Sequence, residues 1–379
     1  MEKPNGLINT QGTCYINVTL QCLNNITELT NYLLNIKDLD PNSIVLFEYI
    51  NILKGLKYNI HGNNASKLRE KMEKRNKLFR RYKANDPCDF IINFFKSLQE
   101  ELKNYDEYKL WFIEKIGNNS ALKEICDYYI DKTILNELFN FLTVEEFSCD
   151  CKNRTYNYQT EQLMIININN NNSIENYINN YKRQYISKLA CKICHKNYKI
   201  KKDIQIYPKY LIIILNSIDK FKKYCVSYDE NIFVNEDQKN IKYLLISMIV
   251  HLGDNSELGH FISYCRNYSK DKSFYKFNDS SVENVDFEDI KNYSPYILFY
   301  KRIFDEDKSQ NFENKKENMG NDKNEDKEYI YNKSDNILSS YELIYKNQKL
   351  SGNIDLNIRK IPNIGNNSIL MNENDFKKH

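Results

Sequence analysis

The sequence predicts an α+β fold, because helical patterns fill the first part of the chain and strand patterns follow. From about Thr13 to Leu102, apolar residues recur at three- and four-residue intervals, as on the buried face of a helix. From Thr143 the apolar residues form short runs, and the longest, Tyr207–Leu215, has the Ile-rich composition of a buried strand. Similar runs at Tyr243–Val250 and Tyr296–Tyr300 predict a mostly antiparallel sheet. Helices first and a sheet second is the α+β order.

Individual elements can be placed in order along this pattern. The first helix begins at about Cys14, and apolar stripes predict two more helices at Leu46–Ile60 and Phe90–Leu102. In the second part, Leu163–Ile166 indicates a strand, which a polar turn separates from a short helix with Ser173 as its N-cap.

The composition is that of an ordinary globular protein. Of the 379 residues, 41% are hydrophobic, and acids and bases nearly balance to a formal net charge of +3. This balance gives no reason to expect nucleic acid or a membrane as a partner, and we expect a monomer. Residues Met1–Asn9 lack the pattern of a signal peptide, and no apolar run predicts a membrane span. We therefore expect the cytoplasm or the nucleus, where cysteines serve as thiols or metal ligands.

Three segments carry the residue types of a cysteine hydrolase, which needs a thiol, an imidazole and a group that orients the imidazole. Cys14 lies at the predicted start of a helix, where the helix dipole favours a thiolate. His260 follows a strand and a polar loop and is the candidate base. His251 is the alternative, although its place at the end of that strand suits a structural role. Asn278 can accept the second ring N–H of His260, and Asp279 is the neighbouring alternative.

Two cysteine pairs between these segments predict a zinc-bearing finger. Cys191 and Cys194 have the two-residue gap that suits tetrahedral zinc, whereas Cys149 and Cys151 have one residue between them, a tighter chelate. Structural zinc is the expected cofactor. The alternative is a finger tip that keeps four thiols without a metal.

Several motifs resemble those of the ubiquitin-specific proteases (ubiquitin carboxyl-terminal hydrolases, peptidase C19). Gly6-Leu7-Ile8-Asn9 through Thr13-Cys14-Tyr15-Ile16-Asn17 resembles the family's cysteine box, and Val250-His251-Leu252-Gly253 with Gly259-His260-Phe261 resembles its histidine box. Three shorter segments follow in the family's order: residues 85–90 resemble an acidic box, 207–215 a palm strand and 294–300 a closing strand. The resemblance spans residues 6–302.

The resemblance implies a papain-like catalytic domain over residues 1–302. Its parts would be a helical thumb at about 6–140, β fingers with zinc at about 141–205, and an antiparallel β palm at about 206–302. The family hydrolyses the bond after the C-terminal glycine of ubiquitin, so the implied partner is ubiquitin or a ubiquitinated protein. Catalysis itself would need no cofactor.

The resemblance also implies roles for single residues. Cys14 would be the nucleophile, His260 the general base and acid, and Asn278 the residue that orients His260. Asn9 would donate its side-chain amide to the oxyanion of the tetrahedral intermediate.

Two acidic residues also match the family's pattern. Asp86 and Asp89 would contact the basic tail of ubiquitin, or they would cap the helix that begins near Phe90.

One departure from the family's pattern concerns the loop before the nucleophile. The chain has Gln11-Gly12-Thr13, so the glycine is shifted by one residue and Gln11 competes with Asn9 as oxyanion donor. The rival hypothesis is therefore a ubiquitin-binding module with weak or no catalysis. A general papain-like peptidase is a third interpretation, which leaves the finger insertion without a use.

After the catalytic domain, residues 303–379 are charged and Asn-rich. We expect this tail to be largely disordered, with one short ordered element near residues 329–345.

Overall fold

The computed structural model describes residues 3–10, 12–80, 85–103, 131–151, 154–168, 170–181, 184–217, 225–236, 238–253, 259–270, 272–304 and 368–372. Within these ranges the α-helices are α1 (Cys14–Asn24), α2 (Thr27–Asn35), α3 (Ile44–Lys57), α4 (Ser66–Arg75), α5 (Pro87–Leu102), α6 (Ile134–Phe139), α7 (Ile174–Tyr181) and α8 (Phe287–Ile290). The strands are β1 (Phe141–Ser148), β2 (Arg154–Glu161), β3 (Met164–Ile168), β4 (Asn172–Ser173), β5 (Gln184–Ala190), β6 (Asn197–Ile206), β7 (Tyr210–Ser217), β8 (Val226–Ser227), β9 (Asn231–Glu236), β10 (Lys239–Leu252), β11 (His260–Arg266), β12 (Ser273–Asn278), β13 (Ser281–Asp286), β14 (Ile297–Arg302) and β15 (Ser368–Asn372).

Helix α1 is the centre of the helical layer, or thumb. Every residue from Tyr15 to Leu23 is buried, so this helix is enclosed on all sides. On its thumb side, Tyr15 packs edge-on against Phe90 of α5 with 5.8 Å between ring centroids, and Phe90 stacks on Phe94 at 5.0 Å. Cys265 of β11 belongs to the same apolar core. The helix that begins at Cys14 is therefore clamped between the thumb and the sheet.

The palm is a sheet with strand order β13-β12-β11-β10-β14-β7-β3, and β9 pairs with the first half of β10. Adjacent strands are antiparallel except β3 and β7, which are parallel. Both faces of β7 are covered: Ile212 and Ile214 join the thumb core, while Leu211 and Ile213 join a second core with α7 and α8. A strand buried on both faces needs apolar residues at every position, which explains the continuous run in the sequence.

The fingers form a second sheet with strand order β15-β2-β1-β6-β5 within the described residues. Its central strand β1 pairs with β2 over its whole length and with β6 from Leu142 to Ser148. The predicted α+β fold with thumb, palm and fingers is confirmed.

The tail contains one described element, β15, which pairs antiparallel with β2 along the edge of the finger sheet. The sequence predicts a largely disordered tail and gives no sign of a strand at residues 368–372. An open strand edge carries unpaired backbone groups that any extended segment can satisfy, whatever its side chains, so sequence pattern does not reveal such pairing. The element expected near 329–345 lies outside the described residues.

Among the helices that the structure describes, none has the combination of length and apolar character needed to cross a membrane.

Candidate active site

Cys14 is the first residue of α1 and is half-buried. The helix starts here because Thr13, which is buried, accepts the backbone N–H groups of Ile16 and Asn17 on its carbonyl oxygen at 3.0 and 2.9 Å. The thiol thus lies at the positive end of an 11-residue helix. This position stabilises a thiolate.

His260 is the first residue of β11, and its Nε2 lies 2.7 Å from Asn278 Oδ1 at the end of β12. The pairing of β11 with β12 brings these two residues to the same end of the palm. The Cys14 thiol is also near enough to the imidazole to raise its pKa. Because Nε2 contacts Asn278, the other ring nitrogen, Nδ1, is the one available to the sulfur of Cys14. The structure therefore brings together Cys14, His260 and Asn278 from three distant parts of the chain.

The pKa of His260 is raised to about 9. The largest cause is the hydrogen bond with Cys14, and the bond to Asn278 and the charge of Asp279 act in the same direction, while burial opposes them. A raised pKa means that the imidazolium persists at neutral pH. A cation beside a cysteine sulfur is the environment that favours a thiolate nucleophile.

Asp279 connects the strap before the nucleophile, helix α1 and the palm. Its Oδ2 accepts the side-chain Nδ2–H of Asn9 at 2.9 Å and lies 3.6 Å from His260 Nε2, and its Oδ1 accepts Nδ2–H of Asn17 at 2.9 Å. Its backbone oxygen accepts the N–H of Leu7 at 3.0 Å. Asp279 has φ 51° in the two-residue turn between β12 and β13, a conformation that Asp tolerates better than most residues.

The segment that precedes the nucleophile, residues 6–10, is called the strap below. Its Asn9 is exposed, and the side-chain Oδ1 accepts the backbone N–H of Thr13 at 2.9 Å. A Cβ on Gly6 would lie 2.2 Å from the backbone oxygen of Asp279, so only glycine allows the strap to pass that turn. Gly12 has φ +81°, which shows that the shifted glycine supplies a left-handed turn before Cys14. Gln11 lies outside the described residues.

His251, the alternative base, packs in an aromatic cluster. Its ring centroid is 4.7 Å from that of Phe261 and 6.4 Å from that of Tyr296. A Cβ on Gly259 would meet His251 Nε2 at 1.9 Å. His251 therefore packs against the backbone just before His260, which is a structural role.

The four finger cysteines converge at the tip of the second sheet. All four sulfur atoms lie within 4.8 Å of one another. Cys151 to Cys191 and Cys194 to Cys149 are each 3.6 Å apart, close to the sulfur–sulfur edge of about 3.8 Å that follows from tetrahedral Zn–S bonds. Cys149 and Cys151 are nearer, at 2.6 Å.

The turn at Cys191 adds evidence that these thiols fit a metal. The backbone N–H of Ile193 points at Cys191 Sγ from 3.5 Å, and His195, at φ 55°, donates its N–H to the Cys191 carbonyl. An N–H aimed at the sulfur stabilises a thiolate ligand. The donor set and its turn fit structural zinc.

Comparison with known proteins is decisive for the family. The sequence profile described as "Ubiquitin carboxyl-terminal hydrolase" matches residues 5–300. The chain belongs to the ubiquitin carboxyl-terminal hydrolase family. The resemblance seen in the sequence is thus confirmed.

Relatives in this hydrolase family are distant in sequence. "Ubiquitin carboxyl-terminal hydrolase Usp2" of Drosophila melanogaster is 22% identical over 330 residues, covering 78% of this chain and 34% of the relative. "Probable ubiquitin carboxyl-terminal hydrolase 16" of Schizosaccharomyces pombe is 23% identical over 321 residues, covering 80% of this chain and 67% of the relative. The chain spans about a third of the length of the Drosophila relative.

Solved structures share the fold. The SAGA Ubp8/Sgf11/Sus1/Sgf73 DUB module bound to ubiquitin aldehyde contains a chain with a TM-score of 0.63 and 18% identity to this hydrolase-family chain. The match covers 80% of this chain and 72% of that one. A second structure of the module, bound to monoubiquitin, gives a TM-score of 0.63 at 17% identity, covering 80% of this chain and 72% of that one.

In the acidic box of this hydrolase-family chain, Asp86 has a structural role. Asp86 caps α5, because Oδ1 accepts the N–H of Cys88 at 2.7 Å, and its Oδ2 accepts the hydroxyl of Tyr296. Both carboxylate oxygens are engaged. Asp89, in the first turn of α5, is exposed.

Sequence reasoning missed Asn17 and underrated Asp279. Asn17 lies three residues after Cys14 in α1, and its polar side chain is buried, with 2% exposure. A buried amide needs a partner, and that need was the available signal. The partner, Asp279, is 262 residues away.

Proposed function

We propose that the chain is a thiol-dependent deubiquitinase that hydrolyses peptide and isopeptide bonds after the C-terminal glycine of ubiquitin. The observation that supports this most is the convergence of His260, which lies 2.7 Å from Asn278, with Cys14 at the N-terminus of α1. Membership of the hydrolase family and the ubiquitin-bound structural neighbours support ubiquitin as the partner. The proposed enzyme acts as a monomer, and the free thiols of the described cysteines suit a reducing cytoplasm or nucleus.

Acylation begins when the Cys14 thiolate attacks the carbonyl carbon of the terminal glycine. His260, held by Asn278, then gives its proton to the leaving amine as the carbon–nitrogen bond breaks, which leaves a thioester on Cys14. In the second half, His260 takes a proton from water, the hydroxide attacks the thioester, and the carbon–sulfur bond breaks. The thiolate and the imidazolium are restored.

The oxyanion of each tetrahedral intermediate would be stabilised by Asn9. A side-chain amide carries two N–H bonds, and the contact with Asp279 Oδ2 uses one of them. The exposed second N–H is the proposed donor. Loss of one such donor costs about 100- to 1,000-fold in rate.

Asp279 would support both Asn9 and His260. It fixes Asn9, and its charge lies 3.6 Å from His260 Nε2, where it favours the imidazolium. The proposed division of roles is that Asn278 orients the ring and Asp279 holds Asn9 and stabilises the positive charge.

Zinc held by Cys149, Cys151, Cys191 and Cys194 would be structural, because four thiolates fill a tetrahedral shell and leave no position for substrate. Asp89, which is exposed in the first turn of α5, is the proposed contact for the basic tail of ubiquitin.

The test is hydrolysis of ubiquitin that carries a fluorophore amide on its C-terminal glycine. Wild type should release the fluorophore, while Cys14→Ala and His260→Ala should not, although both should still bind ubiquitin. Binding without release by wild type would instead favour the ubiquitin-binding module. Cleavage of short peptides with no preference for ubiquitin would favour a general peptidase.

A further inference from the structure

The strap, residues 6–10, has a second set of contacts on the side away from Asp279. The backbone N–H of Ile8 donates to the carbonyl oxygen of Asn63 at 2.9 Å, and Ile8 forms a parallel bridge with Asn64. Thr10 Oγ1 and Ser66 Oγ are 2.8 Å apart. The residues on both sides of Asn9 are thus attached to residues 63–66, which comprise the end of the α3–α4 connection and the first residue of α4.

Ser66 has a defined hydrogen-bond direction. Its hydroxyl donates to Asn64 Oδ1 at 2.5 Å, and its backbone N–H donates to the same oxygen at 3.1 Å. A hydroxyl has one proton, so Thr10 must donate in the contact with Ser66. The chain of bonds therefore runs from Thr10 through Ser66 to Asn64.

Asn63 is braced against α3 in the same way. Its Nδ2–H donates to the carbonyl oxygen of Ile52 at 2.9 Å, and its amide packs directly on Gly55, where a Cβ would come within 2.4 Å of Nδ2. Beside this brace lies a cavity of about 300 Å³, whose lining includes Asn51, Ile52, Asn63 and Asn64.

We propose that Asn63 and Ser66 are positioning residues for Asn9, acting through Ile8 and Thr10. This inference rests on the proposed function, in which Asn9 binds the oxyanion. Asn9 is then held between two anchors: Asp279 fixes its side chain, and the segment 63–66 fixes the backbone on either side. An oxyanion donor stabilises charge only if it is already aimed at the place where the charge develops. Loss of the outer anchor should therefore slow the chemical step and leave ubiquitin binding intact.

Gly55→Ala is the sharpest test, because it adds one methyl group inside α3. Alanine favours a helix interior over glycine, so the helix should not weaken. The new methyl instead displaces the Asn63 amide from Ile52. We expect Gly55→Ala, Asn63→Ala and Ser66→Ala each to lower kcat by about tenfold with KM unchanged, less than removal of the donor itself.

Double variants make the test specific. In Asn63→Ala the side chain that the new methyl would meet is gone, so adding Gly55→Ala should lower kcat no further. In Asn9→Ala the donor is gone, so adding Asn63→Ala should likewise have no effect. Asn51→Ala, on the same cavity but without a contact to the strap, should behave as wild type. Equal melting temperatures establish that the variants fold.

Two further readouts separate positioning from general damage. Ubiquitin aldehyde forms a tetrahedral adduct with a thiol, so its affinity should fall with kcat, whereas affinity for ubiquitin should not. The rate at which iodoacetamide alkylates Cys14 reports the reactivity of the thiol beside His260. In the three single variants this rate should equal that of wild type.

Wild-type kcat in Asn63→Ala and Ser66→Ala, multiplicative losses in the double variants, or a parallel fall in alkylation would each overturn the proposal. Absence of ubiquitin turnover in wild type would instead refute the proposed function.

Discussion

Asp279 Oδ2 accepts the side-chain Nδ2–H of Asn9 at 2.9 Å, although 270 residues separate the two. This contact ties the turn after Asn278 to the strap before Cys14. The nucleophile, the base and the candidate oxyanion donor therefore depend on one carboxylate at the end of the palm.

Replacement of Asp279 should impair catalysis without unfolding the protein. Asp279→Ala removes one hydrogen bond from Asn9, one from Asn17 and a negative charge near His260. We therefore expect kcat on ubiquitin–fluorophore amide to fall by about 100-fold. Glu283→Gln, an exposed carboxylate on the same hairpin, is the control and should be neutral. An Asp279→Ala enzyme within twofold of wild type would contradict the anchoring role.

The pH dependence of the reaction should carry the signature of His260. With its pKa raised to about 9, the imidazolium that protonates the leaving amine is lost as pH rises through that value. We therefore expect kcat/KM to fall above about pH 9, since this ratio reports the free enzyme. Asn278 raises this pKa, so Asn278→Ala should move the alkaline limb to lower pH. An unmoved limb in that variant would assign the limb to another group.

Gly259 should tolerate no side chain. A Cβ there would lie 1.9 Å from His251 Nε2 and 2.8 Å from the Leu252 backbone oxygen, so Gly259→Ala must displace the residue before His260. We expect at least about a tenfold loss of kcat, as misplacement of a catalytic group does. His251→Ala makes room, and the double variant should recover activity in part, because the clash with Leu252 remains. Full activity of Gly259→Ala alone would show that the loop adapts.

The finger cysteines should bind one zinc ion per chain, measured by elemental mass spectrometry on purified protein. Cys149→Ser with Cys194→Ser should abolish zinc and lower the melting temperature, because metal binding contributes to folding. Cys225→Ser, an exposed thiol outside the cluster, is the control. Metal-free wild type with an unchanged melting temperature would favour the four-thiol alternative.

The sequence predicted those parts of the site that short-range patterns encode. The start of α1 at Cys14 and the strand before His251 each follow from a few neighbouring residues. The cap at Asp86 was one of two interpretations that the sequence left open. The two-sided burial of β7 was visible as a continuous apolar run.

What the sequence did not predict depends on contacts between distant segments. The sequence assigned Asn278 to His260, with Asp279 as the alternative, but it gave no sign that Asp279 accepts the amides of Asn9 and Asn17. The links from Ile8 to Asn63 and from Thr10 to Ser66 have no local pattern either. Backbone and hydroxyl groups can form such bonds in many positions, so residue type alone does not select the partner.

The most direct test of the proposed function is reaction of the protein with ubiquitin bearing a thiol-reactive group at its C-terminus, read by intact mass. Wild type should gain the mass of one ubiquitin, and Cys14→Ala should gain none. A wild-type protein that binds ubiquitin with its fold intact but forms no adduct would contradict the assignment of Cys14 as the nucleophile of a deubiquitinase.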